Sequence, residues 1–277
     1  TFGGVDLTSS GLQLFTADGY SITGLDSTFA TSNANITFAN GGAGAITLGD
    51  TADLTLSTEL GGSGAGDIAV NVAIAGTDGD VGTDVTIDAG TGTISIQGIS
   101  TDISDVLLTS TGGITLNGDI TTATDSGDTG NESGVVTLTG AVTLAENITI
   151  DTDSASNNGA VSFSSTVDGF KTLTITSGSG AVDFAGNIGA TTALGDLTIN
   201  STGGTGTIDI EQIGDGDNVG GVRGTVAIGN AATSQVEFDG TIYKFENVTG
   251  ASDTVTITAS DTGEAIDFTA GAAVTIT

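Results

Sequence analysis

Apolar and polar residues alternate in short bursts along this chain. Ile36-Thr-Phe38, Ile46-Thr-Leu48, Leu54-Thr-Leu56, Val85-Thr-Ile87, Ile94-Ser-Ile96, Ile114-Thr-Leu116, Val136-Thr-Leu138, Val142-Thr-Leu144 and Ile148-Thr-Ile150 each set a hydroxyl between two apolar residues. Side chains alternate across a strand, so each triplet predicts a short strand with its apolar pair on one face and its Thr or Ser on the other. Thr suits the outer face because its β-branch favours extended backbone while its hydroxyl stays wet. No stretch shows the periodicity of a long amphipathic helix.

Three longer stretches repeat one pattern: Gly159-Ala-Val-Ser-Phe163 with Leu173-Thr-Ile175, Gly180-Ala-Val-Asp-Phe184 with Leu197-Thr-Ile199, and Gln235-Val-Glu-Phe238 with Val255-Thr-Ile257. Strand pairs that recur without helices between them predict a repeat architecture, since one unit buries its apolar face only when neighbours stack on it. The expected fold is all-β, a parallel β-helix or β-solenoid, with roughly 20 to 30 residues per coil and on the order of ten to thirteen coils. Residues 1–277 read as one continuous solenoid, with 134–257 the clearest repeats and 1–60 less regular, as in a cap. Residues 121–134 read as a loop thrown out from the rod, and no linker divides the chain. Gly-rich joints such as Gly61-Gly-Ser-Gly-Ala-Gly66, Ser177-Gly-Ser-Gly180 and Gly203-Gly-Thr-Gly206 are expected to turn one strand into the next. They open no helix and no lysine follows them, so they do not read as phosphate loops.

Composition sharpens this picture. The 277 residues include 46 Gly, no Pro and only 12 aromatic residues (10 Phe and 2 Tyr), too few to fill a thick core but enough for a thin column. Proline's absence fits strands that pair above and below. Disorder is the competing reading of so much Gly, Ser and Thr, and the regular alternation argues against it. The charge is lopsided, 34 acidic residues to 3 basic, for a net −31. That field repels phosphate backbones and anionic lipid, and Lys171, Arg223 and Lys244 read as too few and too scattered to form a patch. Without Cys or His there is no disulfide and none of the ligands that structural zinc prefers. The longest nearly apolar stretch, residues 68–75, is too short to span a bilayer. No initiator Met or leader begins the sequence, and the strand pattern runs to its last residue, so an excerpt or a polymerising unit of a longer secreted protein is expected.

Catalytic chemistry has little material: Ser and Thr abound without an activating His, and the paired carboxylates that hydrolyse sugars lack the Trp platforms that hold them. The chain is expected not to be an enzyme. Metal binding is the stronger chemical reading. Asp78, Asp80 and Asp84, and further on Asp209, Glu211, Asp215 and Asp217, put oxygen ligands among Gly-rich turns, the setting calcium accepts, although neither run completes a helix-flanked calcium loop. Asn35, Asn131, Asn147, Asn200 and Asn247 each open an Asn-x-Ser/Thr triplet, close to what chance yields in a chain so rich in Thr.

The stretch Phe184-Ala-Gly-Asn-Ile-Gly-Ala-Thr-Thr-Ala-Leu-Gly-Asp-Leu-Thr-Ile199 resembles the β-strand repeats of large bacterial surface proteins of the filamentous-haemagglutinin and adhesin type. The resemblance is clearest over residues 134–257 and rests on degenerate motifs. It implies a right-handed parallel β-helix and an extracellular or cell-surface structural rod: a self-assembling filament subunit that stacks head-to-tail or laterally on itself, or an adhesin stalk meeting glycans or proteins of neighbouring or host cells. A calcium-dependent surface-layer lattice protein and a carbohydrate-binding or carbohydrate-cleaving β-helix are the alternatives. No nucleic-acid partner and no transmembrane segment are expected.

Overall fold

A computed structural model describes the chain except residues 50, 63, 78–81, 101, 123–133, 155–157, 201, 217–219, 246–253, 261–264, 270–274 and 277. Among the described residues there is no helix, and so none long and apolar enough to cross a membrane. The strands stack in parallel as a β-solenoid of about nine turns.

Each coil contributes three short strand segments, and each segment pairs with its counterpart one coil on. Ser27–Thr31, Leu54–Ser57, Val85–Gly90, Val106–Ser110 and Val136–Thr139 lie on the first face, paired in that order. Ile36–Asn40, Ile68–Val70, Ile94–Ile96, Ile114–Leu116 and Val142–Leu144 lie on the second. The third face is a ladder of ten strands, running from Tyr20–Ile22 to Val255–Ile257. Ten strands are joined by nine coil-to-coil steps, which agrees with the turn count.

The coil length follows from the register. It ranges from 20 residues, where Ile94 pairs with Ile114, to 33, where Ile242 pairs with Thr275. The upper end exceeds the expected 30, and the turns are fewer than the ten to thirteen anticipated, because the corner segments vary widely in length.

Inward positions of all three faces meet in one column of Ile, Val, Leu and Phe. Phe163 lies in register with Phe184 on the next coil, with ring centroids 4.6 Å apart and planes within 4°. That separation matches the spacing of neighbouring strands, so stacking of identical residues follows directly from in-register parallel pairing. The coil that follows carries Ile210 where Phe would stand, and Phe238 resumes on the next. A whole coil, with Thr207–Ile213 and Val226–Ile228, thus lies between the second and third of the repeated stretches.

Residues 1–60 occupy the same three ladders: Asp6 pairs with Thr28, Gln13 with Ile36 and Tyr20 with Ile46. Their less regular pattern has a packing cause. Phe2, Phe15, Tyr20, Phe29 and Phe38 form an aromatic cluster with centroids 4.7 to 5.9 Å apart. Polar Gln13 is buried there because its side-chain amide donates to the Leu7 and Ala30 carbonyls at 3.0 and 2.9 Å.

Inward hydroxyls close the corners. Thr58, Thr152 and Ser177 are buried and donate to the carbonyls of Gly66, Gly159 and Gly180 at 2.9, 2.7 and 2.8 Å. The Thr122 hydroxyl donates to the Gly134 carbonyl at 2.6 Å. That bond brackets the expected loop, whose residues 123–133 lie outside the described residues. Glycine is required at tight corners such as Gly140, where φ is 133° and a Cβ would come within 1.8 Å of the Ser110 carbonyl oxygen.

Candidate functional site

Two kinds of acidic column run along the first face. The first stands where the chain enters the strand. Asp26, Asp53, Asp84 and Asp105 each use Oδ1 to accept a backbone N–H from the next coil, donated by Asp53 at 3.3 Å, Asp84 at 2.9 Å, Asp105 at 3.0 Å and Val135 at 2.8 Å. Each carboxylate satisfies a corner amide that the ladder leaves over, which is a structural task. Partial burial pushes the Asp53 and Asp84 carboxyls up, the accepted N–H opposes it, and neighbouring carboxylates add to the rise. A shallow groove of about 280 Å³ lies beside this column, lined by Asp84, Thr86, Asp105, Leu107, Val135 and Thr137.

The second column stands on the outward positions of the later coils. Asp183 pairs with Asp209, Asp209 with Glu237 and Glu237 with Asp267, four carboxylates in register on successive strands. Glu211 lies two residues beyond Asp209 on its strand, and Asp239 follows directly after the strand Gln235–Phe238. Like charges directly opposite each other disfavour ionisation. Burial, followed by the charges of Asp239, Asp183, Glu237 and Glu211, pushes the Asp209 carboxyl up to about 6. Asp183 is raised for the same reasons, burial first and then Asp239.

Of the seven proposed calcium ligands, four lie among the described residues: Asp84, Asp209, Glu211 and Asp215. Asp78, Asp80 and Asp217 lie outside the described residues. Asp84 belongs to the first column and Asp209 and Glu211 to the second. Asp84 and Asp209 are five coil steps apart along the first face, as the register Val85, Val106, Val136, Val161, Val182, Ile208 shows. Asp215 is exposed in the turn after Ile213. Among the described residues no three carboxylates converge in a way that could hold a metal ion. Strand spacing sets the described neighbours Asp183, Asp209 and Glu237 side by side, whereas a coordination sphere needs ligands that point inward at one centre.

One feature escaped the sequence reading altogether. The corner between the second and third faces lengthens along the rod: four residues (169–172), then eight (189–196), then twelve (214–225) separate the flanking strands. These loops stack into a shelf with its own parallel bridges, Leu194 to Val222 and Val222 to Phe245. Leu194 and Val222 are fully buried beneath it.

All three basic residues of the chain sit on this shelf. The Gly195 amide donates to the Lys171 carbonyl at 2.9 Å, the Arg223 amide to the Leu194 carbonyl at 3.0 Å, and the Val222 amide to the Lys244 carbonyl at 3.1 Å. Lys171, Arg223 and Lys244 are 52 and 21 residues apart in sequence, which made them look scattered; the coil repeat brings them to one corner. Lys244 is buried, and the Lys171 ammonium pairs with Glu146 at 3.2 Å. Phe170 is 61% exposed, and the Arg223 guanidinium lies 5.2 Å from its ring centroid, reaching across the intervening coil. A spacing signal existed in the sequence, since the Leu-Thr-Ile strands fall later after each successive first-face strand.

No protein-family model matches this chain, and no curated protein or solved structure matches it either.

Proposed function

We propose that this protein is a non-enzymatic structural rod of the bacterial cell exterior, acting as a filament subunit or an adhesin stalk built from stacked β-coils. The carrying observation is the single apolar column that runs unbroken through three parallel ladders. About nine turns at the roughly 4.8 Å strand spacing make a column on the order of 45 Å long. Its stiffness comes from ladder hydrogen bonds directed along the axis, each coil held by the one before and the one after.

Every coil presents the same ladder chemistry above and below, so the architecture extends by adding coils, from this chain or from another copy. The Thr-rich and acidic outer positions keep such a rod hydrated and repel indiscriminate lateral association. The resemblance of residues 184–199 to repeats of filamentous-haemagglutinin and adhesin type supports the extracellular setting.

Negative-stain electron microscopy with and without millimolar calcium tests this reading. Threads of uniform width that lengthen with concentration are expected for a filament subunit, and isolated short rods for a stalk segment. Calcium-dependent two-dimensional sheets would replace both with a surface lattice. Turnover of polysaccharide by the purified protein would overturn the non-enzymatic reading.

A further inference from the structure

We propose that Asn40 is a site of spontaneous covalent modification, losing its side-chain amide to attack by the Gly41 backbone nitrogen and becoming an aspartyl or isoaspartyl residue faster than the chain's other Asn-Gly pairs. The sequence holds three such pairs, Asn40-Gly41, Asn117-Gly118 and Asn158-Gly159. Glycine puts no side chain beside the attacking nitrogen, so the three are chemically alike and the fold must rank them. In the reaction the Gly41 nitrogen bonds to Asn40 Cγ, the Cγ–Nδ2 bond breaks, and ammonia leaves with the proton from the Gly41 amide. Water then opens the cyclic imide at either carbonyl, so the sum converts one amide and one water to one carboxylic acid and one ammonia.

Asn40 ends the strand Ile36–Asn40 and is exposed together with Gly41 and Gly42. The corner that follows, residues 41–45, is longer than its counterparts on the neighbouring coils, residues 18–19 and 71–73, so water reaches it. Asn40 Oδ1 accepts the Gly42 N–H at 2.9 Å. That local turn folds the side chain over the Gly41 peptide and sets a donor on the oxygen that gains charge as the nitrogen attacks. The leaving group, Nδ2, is held by no partner among the described residues. One bond stands in the way: the Gly41 amide donates to the Ala17 carbonyl at 3.1 Å, where the pairing of Ala17 with Asn40 ends the ladder.

The other two pairs are held more firmly. Asn117 must release two bonds, from Nδ2 to the Ser95 hydroxyl and to the Ile96 carbonyl, both at 3.0 Å. The Gly118 amide has no acceptor among the described residues, so these side-chain bonds alone restrain Asn117. Asn158 must release three: Nδ2 donates to the Ser179 hydroxyl at 3.1 Å, Oδ1 accepts the Ser154 amide at 2.8 Å, and the Gly159 amide donates to the Thr152 carbonyl at 3.4 Å. Conversion at Asn40 adds a negative charge to a chain already at −31, and the isoaspartyl form lengthens the backbone by one carbon beside the Ala39 carbonyl, which accepts the buried Tyr20 hydroxyl at 2.9 Å.

The experiment is incubation of the whole chain in mildly alkaline buffer, with and without denaturant, followed by chymotryptic peptide mapping in a mass spectrometer. With one bond to release rather than two, Asn40 is expected to convert about five- to tenfold faster than Asn117 in the folded chain, and faster still than Asn158. In denaturant the three rates should converge. Ser95→Ala removes one of the two bonds on Asn117 and should raise its rate several-fold while leaving Asn40 unchanged. Far-UV circular dichroism checks that the coils persist in that variant; should they not, the ranking in the unaltered chain carries the test. Conversion of Asn40 no faster than that of Asn117 in the folded chain would overturn the proposal. So would the same ranking in denaturant, which would trace it to local sequence, or an unchanged Asn117 rate in a folded Ser95→Ala.

Discussion

The first face changes character along its length. On the earlier coils its outward positions are Thr28, Thr55 and Thr86, in register; on the later coils they are Asp183, Asp209, Glu237 and Asp267, also in register. The inward residues differ little: Phe29, Leu56 and Ile87 fill one region, Phe184, Ile210 and Phe238 the other, all buried. Core and surface of a β-solenoid are therefore separable. The column is built from whichever apolar residues keep the alternation, and the outside is free to be neutral or strongly charged. Like-charge repulsion is concentrated in the later region, where burial and then four neighbouring carboxylates push Asp209 up to about 6; beside the earlier hydroxyls, Asp53 and Asp84 are raised chiefly by burial, and an accepted N–H opposes the rise.

The common core gives the largest expected effect. Phe184→Ala removes a ring that is 1% exposed and stacked on Phe163, and is expected to cost about 3 to 5 kcal/mol, read as a lowered denaturation midpoint. A loss below about 1 kcal/mol would mean that the two regions are not joined by one continuous column.

The electrostatic difference gives the next effect. A carboxyl raised in the folded state binds its proton more tightly folded than unfolded, so stability is highest below the ordinary carboxyl range and falls as pH rises through about 4 to 6. Asp209 sits near the surface, where solvent screens the repulsion, so the loss is about 1 kcal/mol. Hydrogen exchange at pH 4 and pH 7 should show residues 182–238 losing protection at the higher pH more than residues 27–57 do. Equal changes in the two regions would remove the contrast.

Asp209→Asn sharpens the same point. It is expected to stabilise the protein by about 0.5 to 1 kcal/mol at pH 7 and to leave it unchanged at pH 4, flattening the pH profile. Thermal melts at both values check it, and destabilisation at pH 7 would show that the carboxylate is engaged rather than repelled.

The smallest effect comes from moving the boundary. Ser162 lies directly opposite Asp183, so Ser162→Asp extends the charged column and should cost about 0.5 kcal/mol, whereas Thr55→Asp, set between Thr28 and Thr86, should cost less. Added salt should narrow the gap between the two variants.

Strand alternation was legible at once. Ile94-Ser-Ile96 and Ile148-Thr-Ile150 read correctly as strands with buried flanks and an outward hydroxyl, because side-chain alternation is local and needs no partner. Equivalent positions were legible only where a bulky residue marked them, as Phe163 and Phe184 do. The coil holding Ile208 and Ile210 carries no such marker, because Ile stands where its neighbours have Phe. The neighbours that Asp209 has one coil away, Asp183 and Glu237, are not legible along the sequence, where they stand 26 and 28 residues from it.

By itself, then, the sequence determined an all-β chain of short strands, their inward and outward residues, and a hydrated acidic exterior, since each depends on residues within a few positions of one another. Tertiary structure alone decided which of three ladders each strand joins. Leu54-Thr-Leu56, Ile114-Thr-Leu116 and Ile46-Thr-Leu48 are nearly one motif and lie on three different faces. It alone brought Asp183 against Asp209 and set Arg223 over Phe170. Those contacts depend on how many residues each corner consumes, and that number varies from coil to coil while the parallel in-register pairing is kept.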